Sequence, residues 1–197
     1  MENREIHAET GIDGLAVEPQ PIFGNPDGAV LHLIPGGTDS PEMLDGGIRD
    51  VYASMAIGRG IWRGGHYHGR LDEFFFVMSG RAVWLFVDMR PESRTSGRHY
   101  LCVVDAEARR NGAGSLGPPV PEFSVVGDMK SYRLRVPAGV YHAYAPLGEG
   151  RVMILAVGNT PFDGQDYFYP DIRTVGDSPA LHERLEELGL EIPKPTR

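Results

Sequence analysis

The chain has 197 residues, of which 41% are apolar and 23% charged, and its 19 basic and 27 acidic side chains give a formal net charge of -8. This balance indicates one folded domain, and the acidic total argues against a protein that coats nucleic acid. A single cysteine excludes an internal disulfide and cysteine-rich zinc modules, and with no leader pattern or long apolar run we expect a cytoplasmic protein without a membrane partner.

The N-terminal quarter differs from the rest of the chain. Residues 1–49 are rich in Gly, Pro, Asp and Glu and contain only short apolar pieces, such as 29–34. We therefore predict an N-terminal arm over 1–49 with one or two short strands.

Positive charge is concentrated in the middle of the chain. Residues 51–148 carry a net charge of +4, whereas both flanks are acidic, and 17 of the 19 basic residues are arginine. A guanidinium can bind phosphate or carboxylate through two hydrogen bonds, although a codon bias toward arginine would give the same count. We expect the ligand to be an anionic small molecule.

A different pattern begins at Asp50. Short apolar runs rich in Val, Phe, Tyr and Trp follow one another, and most are separated by Gly, Pro, Asp or Ser. The runs are 51–57, 73–78, 81–88, 100–104, 132–136 and 152–157. They predict an all-β sandwich or barrel over 50–172. Residues 105–131 interrupt the pattern with loop chemistry, and a loop this long is usually functional or disordered.

The last segment, 173–197, is predicted to be a C-terminal helix and tail. Ser178 and Pro179 provide start signals, leucines between 181 and 188 form one apolar face, and Gly189 provides the stop signal. We expect this helix to pack on the barrel as a lid or to form a dimer contact.

Two histidine patterns carry the chemistry of the sequence. His66 and His68 are two residues apart, so in an extended segment they face the same side. Glu73 begins the next apolar run after a short turn, and a hairpin there would carry its carboxylate back towards the imidazoles. The turn residues 137–139 deliver His142 from a distant strand. Three imidazoles and a carboxylate suit a divalent ion such as Fe(II), Mn, Ni or Zn.

These patterns resemble the two cupin signatures. Residues 60–80 match G-x5-H-x-H-x4-E-x6-G at every specified position, and residues 137–142 match P-x-G-x2-H. Pro146 is the one departure, because the family often has Asn there. The resemblance implies a double-stranded β-helix, or jelly roll, although a cupin with a vestigial metal site would carry the same motifs. The ligands that it implies are His66, His68, Glu73 and His142.

Three further stretches resemble the dTDP-4-dehydrorhamnose 3,5-epimerases. Residues 57–67 are similar to their R-G-x-H-Y segment, 87–97 to V-D-L-R-x-x-S-P-T-x-G, and 134–144 to L-x-I-P-P-G-x-A-H-G-F. Residues 159–167 are closer to the related sugar-nucleotide 3,4-ketoisomerases. Together these resemblances imply a cupin that acts on a nucleotide-linked 4-keto-6-deoxysugar.

The resemblance also implies roles for single residues. His66 would occupy the position of the epimerase general base, and Arg63 that of an arginine that binds the nucleotide-sugar phosphates. However, 152–157 lacks the tyrosine that the epimerases carry there. The epimerases need no metal, whereas His68 and Glu73 replace residues that do not ligate one. Because a metal-bound imidazole cannot act as a free base, their mechanism does not transfer unchanged.

We therefore predict isomerisation or epimerisation through an enolate that a divalent ion stabilises as a Lewis acid. Tyr67 and Tyr144 are the predicted catalytic residues, and Tyr141 is a third candidate for relaying the proton. The predicted substrate-binding residues are Arg59, Arg63, Arg70 and Arg81. An Fe(II)-dependent dioxygenase and a non-catalytic ligand-binding cupin are the alternatives. By analogy with other cupins we expect a homodimer.

Overall fold

The computed structural model describes residues 10–20, 22–25, 28–34, 46–106, 123–126, 131–175 and 179–195. Twelve strands lie in these residues: β1 (Ala16–Gln20), β2 (Ile22–Asn25), β3 (Gly28–Leu31), β4 (Asp50–Ile57), β5 (Arg63–His66), β6 (Glu73–Ser79), β7 (Arg81–Asp88), β8 (His99–Asp105), β9 (Phe123–Val126), β10 (Ser131–Val136), β11 (Val140–Pro146) and β12 (Arg151–Gly158). A short 3-10 helix, Ile172–Thr174, and helix α1, Pro179–Glu187, follow them. Within these ranges no helix is long and apolar enough to cross a membrane.

Ten of these strands form two five-stranded sheets. The order is β1-β10-β6-β12-β4 in the first sheet and β5-β11-β7-β8-β9 in the second, while β2 and β3 form a separate hairpin. Neighbouring strands are antiparallel except for β8 and β9, which are parallel. This topology confirms the predicted all-β jelly roll with one C-terminal helix.

The predicted strands agree with the structure where the apolar pattern was strong. All six predicted runs lie in strands, namely β4, β6, β7, β8, β10 and β12, and β7 has the predicted bounds. Strand β5 carried no such signal because it has only four residues, two of them glycines. Strand β9 falls inside the stretch 105–131 that was predicted as a loop. Residues 107–122 and 127–130 of that stretch lie outside the described residues.

The main core lies between the two sheets. Inward side chains from both sheets, such as Phe75, Trp84 and Ile154, belong to one buried cluster. The opposite face of β7 is also buried, because Val83 and Leu85 pack under the C-terminal helix. Burial on both faces explains why β7 reads as a continuous apolar run instead of an alternating one.

Helix α1 packs on the outer face of the second sheet. Its buried leucines, Leu181 and Leu185, are 5% and 1% exposed and join the cluster beneath the helix. Each such burial stabilises the fold by about 2 kcal/mol. The stop signal acts as predicted, since Gly189 has φ +66 and its N–H bonds to the carbonyl of Glu186. The start signal at Ser178 lies outside the described residues.

The first strand of the predicted arm is part of the barrel. Strand β1 pairs antiparallel with β10 at the edge of the first sheet. Arg133 of β10 is almost fully buried, donates to Glu18 of β1 at 2.7 Å and lies over the ring of Phe74 at 4.5 Å. This buried ion pair attaches the arm to the sheet.

Residues 87–97, which resemble an epimerase motif, form a turn around a buried carboxylate. Asp88 accepts hydrogen bonds from Arg90 Nε at 2.7 Å, Ser93 Oγ at 2.6 Å and Thr95 Oγ1 at 2.6 Å. Burial raises the pKa of Asp88, but these hydrogen bonds outweigh it and hold the pKa well below its usual range. The motif therefore builds the turn after β7.

Candidate metal centre and aromatic cavity

Strand pairing brings the four predicted ligands together. His142 on β11 lies opposite His66 on β5, and Glu73 is the first residue of β6. The turn before β11 is tied to the segment after β5, because the N–H of Gly139 donates to the carbonyl of His68 at 2.6 Å. The two sequence motifs thus meet at one end of the barrel.

The three imidazoles lie close to one another. The ring centroid of His66 is 4.8 Å from that of His68 and 4.7 Å from that of His142, and one ring nitrogen of each lies within 4.8 Å of the others. Oε2 of Glu73 is 3.5 Å from Nε2 of His68 and 3.5 Å from Nε2 of His142. Three nitrogens and one oxygen therefore face a common point.

Backbone carbonyls orient all three imidazoles. Nδ1 of His68 bonds to the carbonyl of Asp166 at 2.8 Å, Nδ1 of His142 bonds to that of Val140 at 3.2 Å, and His66 bonds to that of Gly64. Because a carbonyl only accepts, each Nδ1 carries the hydrogen and each Nε2 keeps its lone pair.

Three of the four atoms that face the common point have no hydrogen-bond partner among the described residues. Nε2 of His66, Nε2 of His68 and Oε2 of Glu73 are buried and have no hydrogen-bond partner in the part of the chain that the structure describes. Unpaired buried donors and acceptors are rare and costly. Imidazoles that are held through Nδ1 and offer Nε2 beside a carboxylate are the usual surroundings of a protein-bound metal. The residues therefore fit a first-row divalent ion.

The electrostatics of the centre favour neutral imidazoles. Burial, together with the neighbouring imidazoles, lowers the pKa of His66 to about 4 and that of His142 well below its usual value. Burial also lowers the pKa of His68. Burial raises the pKa of Glu73 to about 7, while a hydrogen bond from the Tyr52 hydroxyl to Oε1, 2.7 Å long, opposes the shift.

A cavity of about 360 Å³ opens onto His66 and His142. Most of its wall is aromatic: the rings are Tyr52, Trp62, Phe75, Trp84, Tyr144, Tyr167 and Tyr169. The wall runs from Tyr169, which is 48% exposed, to Trp84, which is 0% exposed. The imidazoles of His66 and His142 thus lie in the wall of a largely aromatic cavity.

A second cavity, of about 440 Å³, reaches the centre at His68. Tyr52 and Tyr167 line both cavities, so they form the partition between them. Arg70 lines the second cavity, but Asp163, 2.5 Å from its guanidinium, already compensates its charge.

Of the predicted catalytic tyrosines, only Tyr144 lines the aromatic cavity. Its hydroxyl lies 2.7 Å from Oγ of Ser54, and burial raises its pKa despite that hydrogen bond and the nearby Arg63. The ring of Tyr67 instead stacks on Phe168 at 5.0 Å, because side chains alternate along an extended segment and those of 66 and 68 already face the centre. Tyr141 alternates away in the same manner and packs under α1.

The predicted arginines separate in the structure. Arg63 lines the aromatic cavity. Arg59 instead donates to the carbonyls of Leu147 and Leu188 at 2.6 and 2.7 Å, and Arg81 lies 3.7 Å from Asp105. Neither Arg59 nor Arg81 lines the two cavities described above, so the structure does not bring them together with Arg63 at the centre.

Sequence reasoning missed the tyrosines of the segment after β12. A backbone bridge pairs Tyr67 with Phe168, so Tyr167 and Tyr169 project to the side of the imidazoles. The ring of Tyr167 lies 4.8 Å from that of His66 and 4.4 Å from that of His68. The sequence Tyr-Phe-Tyr at 167–169 places both tyrosines on one side of an extended segment. Which side faces the imidazoles becomes clear only from the pairing of Phe168 with Tyr67.

No known family profile matches the sequence, and no curated protein matches it significantly. Solved structures do match. A dTDP-4-dehydrorhamnose 3,5-epimerase from Elizabethkingia anophelis NUHP1 is 15% identical, with 89% of this chain and 86% of that chain covered and a TM-score of 0.65. The fold is the one these epimerases have.

Two further structures agree with this result. A dTDP sugar isomerase from Desulfovibrio desulfuricans G20 is 19% identical over 83% of this chain and 88% of that chain, with a TM-score of 0.61. A 3'-monoepimerase from Streptomyces bikiniensis, solved with dTDP-quinovose, is 16% identical over 94% and 80%, with a TM-score of 0.64. The resemblance to epimerase-like cupins is thus confirmed at the level of the fold.

Proposed function

We propose that the protein is a metal-binding isomerase or epimerase that acts on a nucleotide-linked 4-keto-6-deoxysugar. The observation that carries the proposal is the convergence of three oriented imidazoles and one carboxylate at the inner part of an aromatic cavity. The shared fold supports it, because structures of this fold include enzymes described as dTDP-sugar epimerases and isomerases.

The metal would be held by His66, His68, Glu73 and His142. When bound, a divalent ion supplies Lewis acidity that stabilises negative charge on a carbonyl oxygen. The removal of a proton from carbon next to a carbonyl creates such a charge. The chemistry of the donor set therefore matches the demand of a keto-sugar isomerisation.

The remaining groups of the cavity have their own roles in the proposal. Tyr144 lies on the same wall as His142, and its hydroxyl, which pairs with Oγ of Ser54, can relay the proton that leaves the sugar carbon and returns to it. Arg63 is exposed where it lines the cavity and can bind a phosphate oxygen of the nucleotide. The aromatic walls bury the sugar and exclude water.

Deuterium exchange tests the reaction directly. The protein is incubated with dTDP-4-keto-6-deoxyglucose in D2O, and proton NMR follows the signals at the carbons next to the carbonyl. We expect these signals to disappear as deuterium enters, and we expect His68→Ala to abolish both the exchange and the metal found by elemental analysis. Tyr141→Phe, which changes a buried tyrosine outside the cavity, is the control.

Two outcomes would reject the proposal. Unchanged sugar signals together with a protein that holds no stoichiometric metal would leave a non-catalytic ligand-binding cupin. Stoichiometric iron with oxygen consumption and no exchange would instead assign the protein to the cupin dioxygenases.

A further inference from the structure

One stretch of chain after β12 lines both cavities. This cavity segment, residues 160–169, supplies Phe162 and Asp166 to the second cavity, Tyr169 to the aromatic cavity and Tyr167 to both. The segment belongs to no helix or strand. Its place therefore depends on the contacts that single residues make with the rest of the barrel.

Asp166 attaches the cavity segment to the turn that follows His68. Its carboxylate accepts hydrogen bonds from the backbone N–H of Gly69 through Oδ1, at 3.0 Å, and from that of Arg70 through Oδ2, at 3.2 Å. Its backbone carbonyl accepts from Nδ1 of His68 at 2.8 Å. Asp166 is 8% exposed, and hydrogen bonds to an ionised group are about twice as strong as neutral ones. One residue thus holds three consecutive residues, 68–70.

The imidazole of His68 connects this attachment to the candidate metal centre. Nδ1 bonds to the cavity segment, whereas Nε2 lies 3.5 Å from Oε2 of Glu73 at the common point. An acceptor on Nδ1 fixes the ring and raises the basicity of Nε2 towards a metal. Because such coupling is reciprocal, an ion on Nε2 strengthens the bond from Nδ1 to the cavity segment by the same free energy.

The cavity segment also places the aromatic wall. The backbones of Tyr67 and Phe168 exchange two hydrogen bonds, each 3.0 Å long, and Tyr167 and Tyr169 therefore project to the side of the imidazoles. The ring of Tyr167 lies 4.4 Å from that of His68. The partition between the two cavities is therefore complete only while the cavity segment is seated.

We propose that Asp166 is a positioning residue that couples metal binding at His68 to the seating of the cavity segment. An occupied metal centre then holds the aromatic wall in place, and a seated wall in turn raises the affinity for the metal. Metal occupancy therefore increases the fraction of molecules whose cavity is complete before the substrate arrives. This inference rests on the metal-binding part of the proposed function.

Hydrogen exchange followed by mass spectrometry tests the coupling in the unaltered protein. The full chain is compared after removal of metal with a chelator and after saturation with Zn²⁺, and peptides from 160–169 and from α1 are followed. We expect Zn²⁺ to slow the exchange of the cavity segment about tenfold and to change that of α1 much less, because α1 packs on the far side of the second sheet.

Elemental analysis of the same samples separates the two ways in which the experiment can fail. Unchanged exchange over 160–169 with one equivalent of Zn²⁺ bound, or equal slowing in α1, overturns the inference and leaves the proposed function intact. A protein that does not bind one equivalent of Zn²⁺ overturns the inference together with the metal site of the proposed function.

Variants of the cavity segment give an independent measure. Asp166→Ala removes both side-chain acceptors and keeps the carbonyl, so we expect Zn²⁺ affinity to fall about tenfold in competition against a chelating dye. Asp166→Asn keeps one acceptor oxygen and should restore part of the affinity. Asp163→Ala is the matched control, because Asp163 pairs with the exposed guanidinium of Arg70 and does not contact His68; it should keep the wild-type affinity.

A purely structural role of Asp166 predicts a different result. Asp166→Ala would then lower the free energy of unfolding of the metal-free protein in urea, while the folded protein would keep the Zn²⁺ affinity of the wild type. That combination would contradict the coupling. If Asp166→Ala does not fold, the exchange experiment on the unaltered protein decides alone.

Discussion

A single hydroxyl determines which oxygen of Glu73 faces the imidazoles. Tyr52 occupies Oε1, so only Oε2 points to the common centre. We expect Tyr52→Phe to free the carboxylate to rotate and to weaken metal affinity about 10-fold to 100-fold, the usual cost of losing such an outer contact. Competition against a chelating dye measures the affinity.

The matched control for this prediction is Tyr141→Phe. It removes the hydroxyl of another mostly buried tyrosine, but one that packs under α1 away from the centre. Equal metal affinity in the Tyr52→Phe variant and the wild type would show that Glu73 is held by other means.

At this scale the sequence predicted the centre better than its surroundings. His66, His68, Glu73 and His142 could be recognised because short spacing and strand alternation place donors on one face. The direction of the Tyr67 side chain could not be inferred from proximity alone, since the residue between His66 and His68 in an extended segment points to the opposite side. Trp84 lies 18 residues beyond His66 in the chain, and only strand pairing brings it to the cavity.

Among the strands, β5 depends on a glycine to keep its place beside β11. Gly64 has φ +80, and a Cβ there would lie 2.8 Å from the carbonyl oxygen of His142. We expect Gly64→Ala to lower the free energy of unfolding by about 1 kcal/mol for the positive φ and by about 1 to 3 kcal/mol more for the clash. It should also reduce bound metal, because the clash separates His66 from His142.

The Gly97→Ala variant separates the cost of the positive φ from the cost of the clash. Gly97 also has a positive φ, +77, but beyond its own chain neighbours no atom of the described residues lies within 4 Å of a Cβ built there. The Gly97→Ala variant should therefore lose only the free energy of unfolding that the positive φ costs, and it should hold as much metal as the wild type. Equal losses in denaturant titrations of the two variants would show that the contact with β11 does not matter.

The turn after β7 predicts a defined pH dependence. The pKa of Asp88 is depressed in the folded protein, so its contribution to stability is present above the unfolded pKa of about 4 and is lost as pH falls towards the folded value. Asp88→Asn should therefore lower the free energy of unfolding by about 2 kcal/mol at pH 7, with a smaller difference at pH 3.

Urea titrations at both pH values measure this difference. Asp171→Asn changes the same Asp-x-Arg arrangement at an exposed position and should lose less. If the difference in free energy of unfolding between the wild type and Asp88→Asn is larger at pH 3 than at pH 7, the proposed role of the buried carboxylate is contradicted.

At the scale of secondary structure, the sequence predicted the strands whose apolar residues are continuous or alternate along the chain. Strands β4, β6, β7, β8, β10 and β12 do so. Strand β5 is an exception, because two of its four residues are glycines, and β1 is another, because Pro19 and Glu18 conceal its pairing with β10. Their places are set by partners distant in the chain, which local periodicity does not report.

At the scale of the whole molecule, Arg59 and Arg63 have separate tasks. Arg59 connects the loop before β5 to the carbonyl at the end of α1, whereas Arg63 faces the cavity. We expect Arg59→Ala to lower the thermal midpoint by a few degrees and to leave dTDP binding unchanged. Arg63→Ala should do the opposite, with dTDP affinity reduced about tenfold.

Differential scanning calorimetry and titration calorimetry on the same two variants measure both properties. Weaker dTDP binding in Arg59→Ala than in Arg63→Ala would reverse the assignment. The predicted homodimer and the domain bounds at 49/50 and 172/173 stay predictions, which sedimentation and limited proteolysis can check.

The orientation of the imidazoles by backbone carbonyls has an evolutionary consequence. The carbonyls of Val140 and Asp166 belong to the backbone, so they remain in place when other side chains change, provided that the backbone keeps its path. Apart from Tyr52, which orients Glu73, the rings of the aromatic wall can therefore change without a compensating change to keep the imidazoles aligned. Directed evolution of this scaffold can vary the other rings of the cavity to reach new ligands while the three imidazoles keep their orientation.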